Sequence, residues 1–256
     1  MANGEFRLFI YGIVGFIFGL FFFFKGFSWL RFKNLIESTP TSKIRSIAIG
    51  LVEVLGYVVP AQGKVLKSPF SNKDCVYYKY SIQEQRSSGR RTYWATIIQG
   101  EDSTYFFLKD DTGIVLVDPK GADTDIPLDF EFSSGLGKDP PQDIKMFLRN
   151  HNMSFEGFLS INKTMKYIEH FIAPNDKLYV MGTAGDNPFV KEGDATENDA
   201  DIMIQKGKND KIYYISENGE KDILKTLNLK IVLGMFSGGL LTIGCLAYML
   251  LFLKLL

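Results

Sequence analysis

Two long uncharged apolar runs, one near each end of the chain, constrain the fold more than anything between them. The first extends from Leu8 to Phe24 and the second from Ile231 to Leu253. A helix needs about 20 residues to cross the hydrocarbon core of a bilayer. We therefore expect transmembrane helices over residues 8–30 and 231–253. The lipid bilayer is then a partner of the chain, and the segment between the helices is held against one membrane face at both ends.

The residues after the first run indicate a retained anchor and not a cleaved signal peptide. Lys25, Trp29 and Arg31 follow it, whereas a signal peptide ends in a small-residue cleavage site. Aromatic and basic residues are typical of the membrane interface. Basic residues are also more frequent on the inner flank of each run, so the positive-inside rule predicts a multi-pass protein with a cytoplasmic central domain.

Small residues recur at helical spacing in both runs. They are Gly12, Gly15, Gly19 and Gly26 in the first run, and Gly234 and Gly238 in the second. Small residues allow helix backbones to approach closely in lipid. The pattern predicts that the two helices pack against each other or against those of further copies. The alternative is that glycine is simply frequent in membrane helices.

The central segment reads as a β-rich α+β soluble domain, a partly open barrel or a sandwich. Short β-branched and aromatic runs separated by turn residues predict strands. A short helix is expected from Thr41 or Ser42 to Ile49, another over residues 143–150, and a linker helix over residues 220–230. The predicted strands cover residues 51–59, 75–82, 92–99, 105–108, 114–117, 165–172, 178–181 and 211–216.

Composition excludes several classes of function. The net charge is zero, so no general attraction to nucleic acid is implied. Cys75 lies in the central domain and Cys245 in the second apolar run, so no disulfide is expected, as is usual in a reducing compartment. One cysteine and two histidines in the domain are too few for a structural zinc site. We expect no metal and no cofactor.

The candidates for chemistry each have a plainer interpretation, and no catalytic residue is assigned. Cys75 is the one reactive candidate, but cysteine is often a small buried hydrophobe. Asp110 and Asp111 are paired carboxylates, yet Thr112 and Gly113 make a tight turn the better interpretation. Arg90 and Arg91 beside Tyr93 and Trp94 would suit lipid headgroups or nucleic acid but are few. Four acidic residues could gather a calcium ion, but their spacing fits no EF-hand and a solvated loop is the better interpretation; they are Asp194, Glu197, Asp199 and Asp201.

Motif fragments in order along the chain are similar to one known domain. Residues 41–47 and 50–54 match its opening, and Glu169, Ile172, Pro174 and residues 178–182 match its close. The remaining matching residues include Ser68, Pro69, Phe70, Ser71, Cys75, Tyr77, Tyr78, Trp94, Asp110, Asp111, Gly113, Asp118, Pro119 and Gly182. Together they resemble the GIDE domain, also called BAM for beside a membrane, over residues 37–217.

The resemblance implies a relationship to ubiquitin ligases similar to the mitochondrial ubiquitin ligase activator of NF-κB. Those proteins have a helix, this domain, a second helix and a zinc-binding RING, and the RING is not expected here. A RING-less relative from an archaeon or bacterium is the expectation. The function predicted first is a non-enzymatic scaffold that binds a membrane-associated protein or forms a homo-oligomer. The alternatives are a ligase component whose RING comes from another chain, and a hydrolase that uses Cys75 or the paired aspartates.

Overall fold

The computed structural model describes residues 2–61, 65–156, 162–189, 201–208 and 212–253. Asp194, Glu197 and Asp199 of the predicted calcium group lie outside these residues, as does Lys211 of the last predicted strand. The chain divides into two compact units. One comprises Met1–Pro40 and Gly219–Leu256, and the other comprises Thr41–Asn218.

The first unit is a pair of long helices. Its helices are α1 (Ala2–Ser38) and α3 (Glu220–Phe252), and the helix α2 (Gln142–Asn150) belongs to the second unit. By length and composition, Phe6–Ser38 and Glu220–Phe252 are apolar enough to cross a membrane. Apolar side chains point outward around both helices, including Phe18, Phe236 and Leu240. A helix that is apolar on all sides suits lipid or a protein interior rather than water.

The second unit is β-rich, as expected. Its strands in chain order are β1 (Thr41–Ser42), β2 (Gly50–Pro60), β3 (Leu66–Lys67), β4 (Asp74–Cys75), β5 (Tyr77–Ser88), β6 (Arg91–Ser103), β7 (Phe106–Lys109), β8 (Ile114–Val117), β9 (Asp123–Asp125), β10 (Phe130–Ser134), β11 (Met165–Ile172), β12 (Lys177–Asp186), β13 (Ile202–Gln205) and β14 (Tyr214–Ser216).

Five of these strands close into a barrel. The hydrogen-bonded order is β2-β7-β8-β13-β12, and β12 returns to β2 along residues Lys177 to Ala184. All these pairs are antiparallel except β8 with β13. Alternate side chains such as Val54, Val58, Leu108, Val115 and Val180 fill the interior. The sequence favoured a partly open barrel or a sandwich, and this barrel is closed.

A separate four-stranded antiparallel sheet has the order β10-β11-β5-β6. One face packs against α2 through Ile144 and Leu148, together with Ile82, Met165 and Tyr167. Phe70 joins this second core, with its ring 5.8 Å from that of Tyr167. The opposite face of the sheet carries polar side chains at alternating positions, since successive residues of a strand point to opposite sides.

The short helix expected up to Ile49 is wrong. The structure has strand β1 and then a three-residue 3-10 helix, Ile44–Ser46. Thr41 pairs with Glu53 of β2. The amides of Ile44 and Arg45 donate to the side chains of Asp110 (3.0 Å) and Thr112 (3.2 Å). Tertiary partners therefore take the backbone groups that a longer helix would have used.

Candidate functional site

The glycines of the two helices meet within one chain. The contacts run antiparallel, from Gly12 beside Tyr248 to Gly26 beside Met235. At the centre, a Cβ placed on Gly238 would lie 2.6 Å from the Phe23 nitrogen and 2.8 Å from the Gly19 carbonyl oxygen. The neighbouring contacts are those of Gly15 with Cys245 and of Gly234 with Trp29. This arrangement brings the backbones of α1 and α3 together.

The structure joins two distant family-motif fragments at one buried carboxylate. Glu169 of β11 is fully buried. It accepts hydrogen bonds from the Phe70 amide at 2.8 Å and the Ser71 amide at 3.1 Å. The Ser71 hydroxyl donates a third at 2.5 Å, and Ser68 Oγ lies 2.8 Å from that hydroxyl. Three donors thus converge on one buried side chain, and Pro69 lies in the turn that presents them. We call Glu169 and residues 68–71 the carboxylate clamp.

Asp110 stabilises the turn between β7 and β8. Its carboxylate accepts from the Thr112 hydroxyl and amide (both 2.6 Å), from the Ile44 amide and from the Gly113 amide (both 3.0 Å). Partial burial alone would raise the pKa of Asp110, but these hydrogen bonds together lower it. Asp111 pairs with Lys43 on the surface at 2.5 Å. Both carboxylates are thus engaged by donors around the turn, which supports the turn interpretation over acid–base chemistry.

Gly182, Tyr213 and Asp118 form a third motif group. A Cβ on Gly182 would lie 2.7 Å from the Tyr213 ring, so only glycine lets this ring lie against β12. The Tyr213 hydroxyl donates to the Asp118 carbonyl at 2.5 Å. Pro119 accepts from the Ala122 amide in the turn that follows β8. These contacts are structural and hold the end of β8 against β12.

Cys75 lacks the environment of a nucleophile. It is fully buried, and burial raises the pKa of its thiol to about 12, with smaller contributions from Glu169, Asp74 and Asp102. The attacking species in cysteine chemistry is the thiolate, so the thiol is inert at neutral pH. Tyr77, nearby in sequence, donates its hydroxyl to Glu101 at 2.8 Å. The hydrolase interpretation gains no support from this geometry.

The ring of each histidine is hydrogen-bonded to a main-chain carbonyl group. Nδ1 of His170 lies 2.6 Å from the Pro127 carbonyl oxygen, and Nδ1 of His151 lies 2.9 Å from that of Phe147. The His151 ring also stacks on Phe147, with a centroid distance of 4.0 Å. Within the described ranges, no three His, Cys, Asp or Glu side chains are grouped so that they could hold a metal ion.

A cavity of about 480 Å³ opens on the four-stranded sheet, and most of its lining residues have polar side chains. His170, Lys79 and Glu101 lie in one row across β11, β5 and β6. The other lining residues are Tyr80, Ser81, Gln99 and Gly100. Trp94 is 40 % exposed on the same face, and the ammonium of Lys166 lies 5.2 Å from its ring centroid. This polar face with an exposed aromatic residue is the candidate partner-binding surface, and we call it the outer sheet face.

A second cavity of about 450 Å³ lies on the barrel beside the Asp110 turn. Lys177 and Lys109 flank the half-exposed Tyr57 across three neighbouring strands. Lys43, Leu55, Gly56, Asp110 and Asp111 complete its lining. Its lysines are balanced in part by the two aspartates, so the cavity has no strong preference for one sign of ligand charge.

The carboxyl of Glu217, just after β14, predicts a pH dependence of stability. Burial, then the charges of Asp176 and Asp129, raise its pKa to about 7. The folded chain therefore retains a proton that the unfolded chain has already lost, so stability falls as pH rises from about 4.5 to about 7 and is level above that. After solvent screening, we expect the loss to be on the order of 1 kcal/mol. Urea unfolding of the wild-type chain and of Glu217→Gln at pH 5 and 8 measures it.

The glutamine variant should show little of this pH dependence and should be the more stable chain at pH 8. Oε1 of Glu217 is buried without a hydrogen-bond partner among the described residues, so a neutral amide removes the charge without removing a bond at that atom. Identical pH profiles for the two chains would contradict the assignment.

The motif residues therefore form several separate groups and not one catalytic centre. Ser68, Phe70 and Glu169 meet in the clamp. Asp110, Asp111 and Gly113 meet at the turn, and Asp118 and Gly182 meet around Tyr213. Tyr78 and Trp94 lie outside these groups. Burial is the main cause that raises the pKa of the Tyr78 hydroxyl. The outer sheet face was not predicted, although the alternation of Lys79, Ser81 and Gln83 in the sequence indicates a polar strand face.

Comparison with known proteins identifies the family. No curated protein and no solved structure matches the chain significantly. The model of the GIDE family, described as E3 ubiquitin ligase, matches residues 77–249, which include the four-stranded sheet, most of the barrel and most of α3. This match covers more than half of the chain and overlaps the predicted domain over residues 77–217. The chain belongs to the GIDE family.

Proposed function

We propose that the protein is a membrane-anchored, non-enzymatic scaffold that binds proteins through its GIDE domain. The observation that carries this proposal is the close contact of α1 with α3. Their glycines bring backbone against backbone, which is how helices associate where lipid provides no hydrophobic driving force. In the proposal, both helices span the bilayer, and the domain lies on the cytoplasmic side, where the excess of basic flanking residues is expected.

The outer sheet face is the proposed binding surface. It combines an exposed tryptophan, charges of both signs and a cavity. Interfaces are enriched in aromatic residues surrounded by polar ones. Cys75, Asp110 and the histidines are all engaged in structural contacts, which favours binding over catalysis.

Family membership favours a second candidate, a component of a ubiquitin-ligase system. In this version the bound partner is a RING protein or a ubiquitin-charged conjugating enzyme, and the chain contributes placement at the membrane. The two candidates share the anchor and differ in the partner and in the outcome of a ubiquitin-transfer assay.

Photo-crosslinking in native membranes tests the proposal. A photoreactive residue at Gln99, on the outer sheet face, should give adducts with a protein, whereas the same residue at Gln142, exposed at the start of α2, should give few. The full chain should also resist extraction by alkaline carbonate. Mass spectrometry of the adducts identifies the partner, and a RING protein or conjugating enzyme would select the second candidate.

Two results would contradict the scaffold. Release of the intact chain by carbonate would remove the anchor. Ubiquitin transfer by the purified chain, with an activating and a conjugating enzyme but no added RING protein, would show an enzyme.

A further inference from the structure

Strand β6 ends the four-stranded sheet with an open edge. It is 13 residues long, and β5 is its one pairing partner among the described strands. The outer edge of such a strand presents N–H and C=O groups that can pair with another strand. Most of its residues are exposed, including Tyr93 at 50 % and Trp94 at 40 %.

This edge has little of the protection that sheet edges usually carry. No charged residue and no proline lies between Thr92 and Gly100, although charges and proline are the common means of preventing edge-to-edge pairing. The strand has one irregularity, a register shift opposite Ile82 and Gln83. A long edge with an exposed, uncharged central stretch can receive another strand.

The hydrogen-bond phase shows which residues of β6 point their backbone groups outward. The Gln85 amide of β5 donates to the Thr164 carbonyl at 2.8 Å, on the side of β11. Two opposite residues of an antiparallel pair either exchange both backbone hydrogen bonds or both direct their backbone groups away from each other. The residue of β6 opposite Gln85 therefore directs its N–H and C=O away from β5. Residues opposite Gln85, Gln83 and Ser81 are, in turn, Trp94, Thr96 and Gln99. These three, therefore, direct N–H and C=O to the open edge.

The charges of β6 are arranged with opposite signs at its two ends. Arg91 begins the strand, whereas Glu101 and Asp102 lie near its end. An antiparallel copy of the same strand reverses this order, so each end meets the opposite sign. A surface of this kind is self-complementary about a two-fold axis.

Backbone phase and charge together select one register. With Trp94 opposite Gln99 of the second copy, outward-pointing residues pair on both sides of the two-fold axis, and at the axis Thr96 lies opposite Ile97, the extra residue at the register shift. The same register sets Arg91 opposite Asp102 of the second copy and Tyr93 opposite its Gly100. A shift by one residue breaks the backbone phase, and a shift by two separates Arg91 from Asp102.

We propose that two copies of this chain associate by antiparallel pairing of β6 with β6, so that their four-stranded sheets form one continuous sheet. This inference rests on the proposed function, because it names the partner of a protein-binding module as a second copy. It also agrees with the glycine contacts, since these are already made within one chain and are not free for pairing between copies.

Charge reversal with rescue tests the register. The full chain is reconstituted in lipid vesicles at low salt, and association is measured by energy transfer between labelled copies. Arg91→Asp and Asp102→Arg should each weaken dimer affinity by about tenfold, because each sets like charges opposite each other twice. The double variant Arg91→Asp/Asp102→Arg should recover wild-type affinity. Arg45→Asp, the same reversal outside this sheet, should leave the affinity unchanged.

Gln99→Pro tests the backbone pairing itself, because the outward N–H of Gln99 faces Trp94 of the second copy. It removes an outward N–H while leaving the β5 ladder intact, which proline tolerates on an edge strand. Dimer affinity should fall by at least about tenfold, while circular dichroism stays that of the wild-type chain.

Three results would overturn the proposal. They are a monomeric wild-type chain, a double variant without rescue, and a dimer whose affinity Gln99→Pro does not change. If the Gln99 adducts consist of another protein while the chain is monomeric, the scaffold function stands and only pairing between copies is wrong. If Gln99 gives adducts only with a second copy of the chain and the charge swap behaves as expected, β6 pairing stands and no other protein is the partner at the outer sheet face.

Discussion

Replacing Glu169 with leucine is expected to lower the free energy of unfolding of the GIDE domain by about 4 kcal/mol. Leucine has a similar size but accepts no hydrogen bond, so the two amides and the hydroxyl at residues 70 and 71 lose their acceptor. A buried donor left without a partner costs about 1–3 kcal/mol. Because these donors lie in a loop, we expect the loop to move toward solvent, exposing Phe70 and opening the core beneath the four-stranded sheet.

Matched variants separate this effect from a general effect of losing a charge. Glu131→Leu changes the neighbouring strand β10, where the carboxylate is exposed and pairs with Lys166 at 3.1 Å. Such a surface pair contributes about 0–1 kcal/mol, so this variant should unfold almost as the wild-type chain does. Glu169→Gln retains one acceptor oxygen and should fall between the two.

Urea unfolding in detergent measures the differences, and hydrogen exchange at Phe70 and Ser71 locates them. The amides of these residues should exchange faster in Glu169→Leu than in the wild-type chain. Equal stability of Glu169→Leu and Glu131→Leu would show that the carboxylate clamp does not hold the domain together.

The parts of the fold that the sequence predicted are those that depend on neighbouring residues. The β7–β8 hairpin could be predicted because Asp110 and Gly113 carry the turn signal and apolar residues flank it. The helix after Pro140 and Pro141 could be predicted because proline suits the start of a helix. The two terminal helices were evident from uninterrupted apolar composition alone.

The parts that could not be predicted depend on partners far away in the chain. Nothing near Thr41 indicates that Asp110 and Glu53 will bind this segment and replace a helix with a strand and a 3-10 turn. Closure of the barrel through β2 and β12 is likewise a long-range pairing. In both cases local helix or strand propensity is overridden by tertiary contacts.

The candidate site was the least predictable part. The motif residues 68–71 and Glu169 could be quoted from the sequence, but their meeting at one carboxylate is a property of the fold. The open edge of β6 is defined by which strand lies beside it, a fact that no local pattern contains. Its uncharged run was present in the sequence, and only the sheet order gives that run a meaning.

Replacing Gly238 with leucine is expected to separate α1 from α3. This is the second of the two large effects expected for this protein. Any side chain here meets backbone atoms, the Phe23 nitrogen and the Gly19 carbonyl oxygen, and backbone cannot move aside as a flexible side chain can. Overpacking of this kind costs about 1–3 kcal/mol, which corresponds to a loss of about tenfold or more in paired helices. Helix association in lipid depends on this close packing.

A disulfide reports the pairing directly. A Cβ on Gly15 lies 2.7 Å from the sulfur of Cys245, so Gly15→Cys should form an intramolecular bond with Cys245 on mild oxidation in membranes. Adding Gly238→Leu should reduce the bonded fraction strongly. The control is Gly244→Leu on the same helix, where an added Cβ would meet no atom of a neighbouring element within 4 Å. If both leucine variants form the disulfide equally well, the glycine contact does not hold the helices together, and the anchor must be stabilised by other contacts.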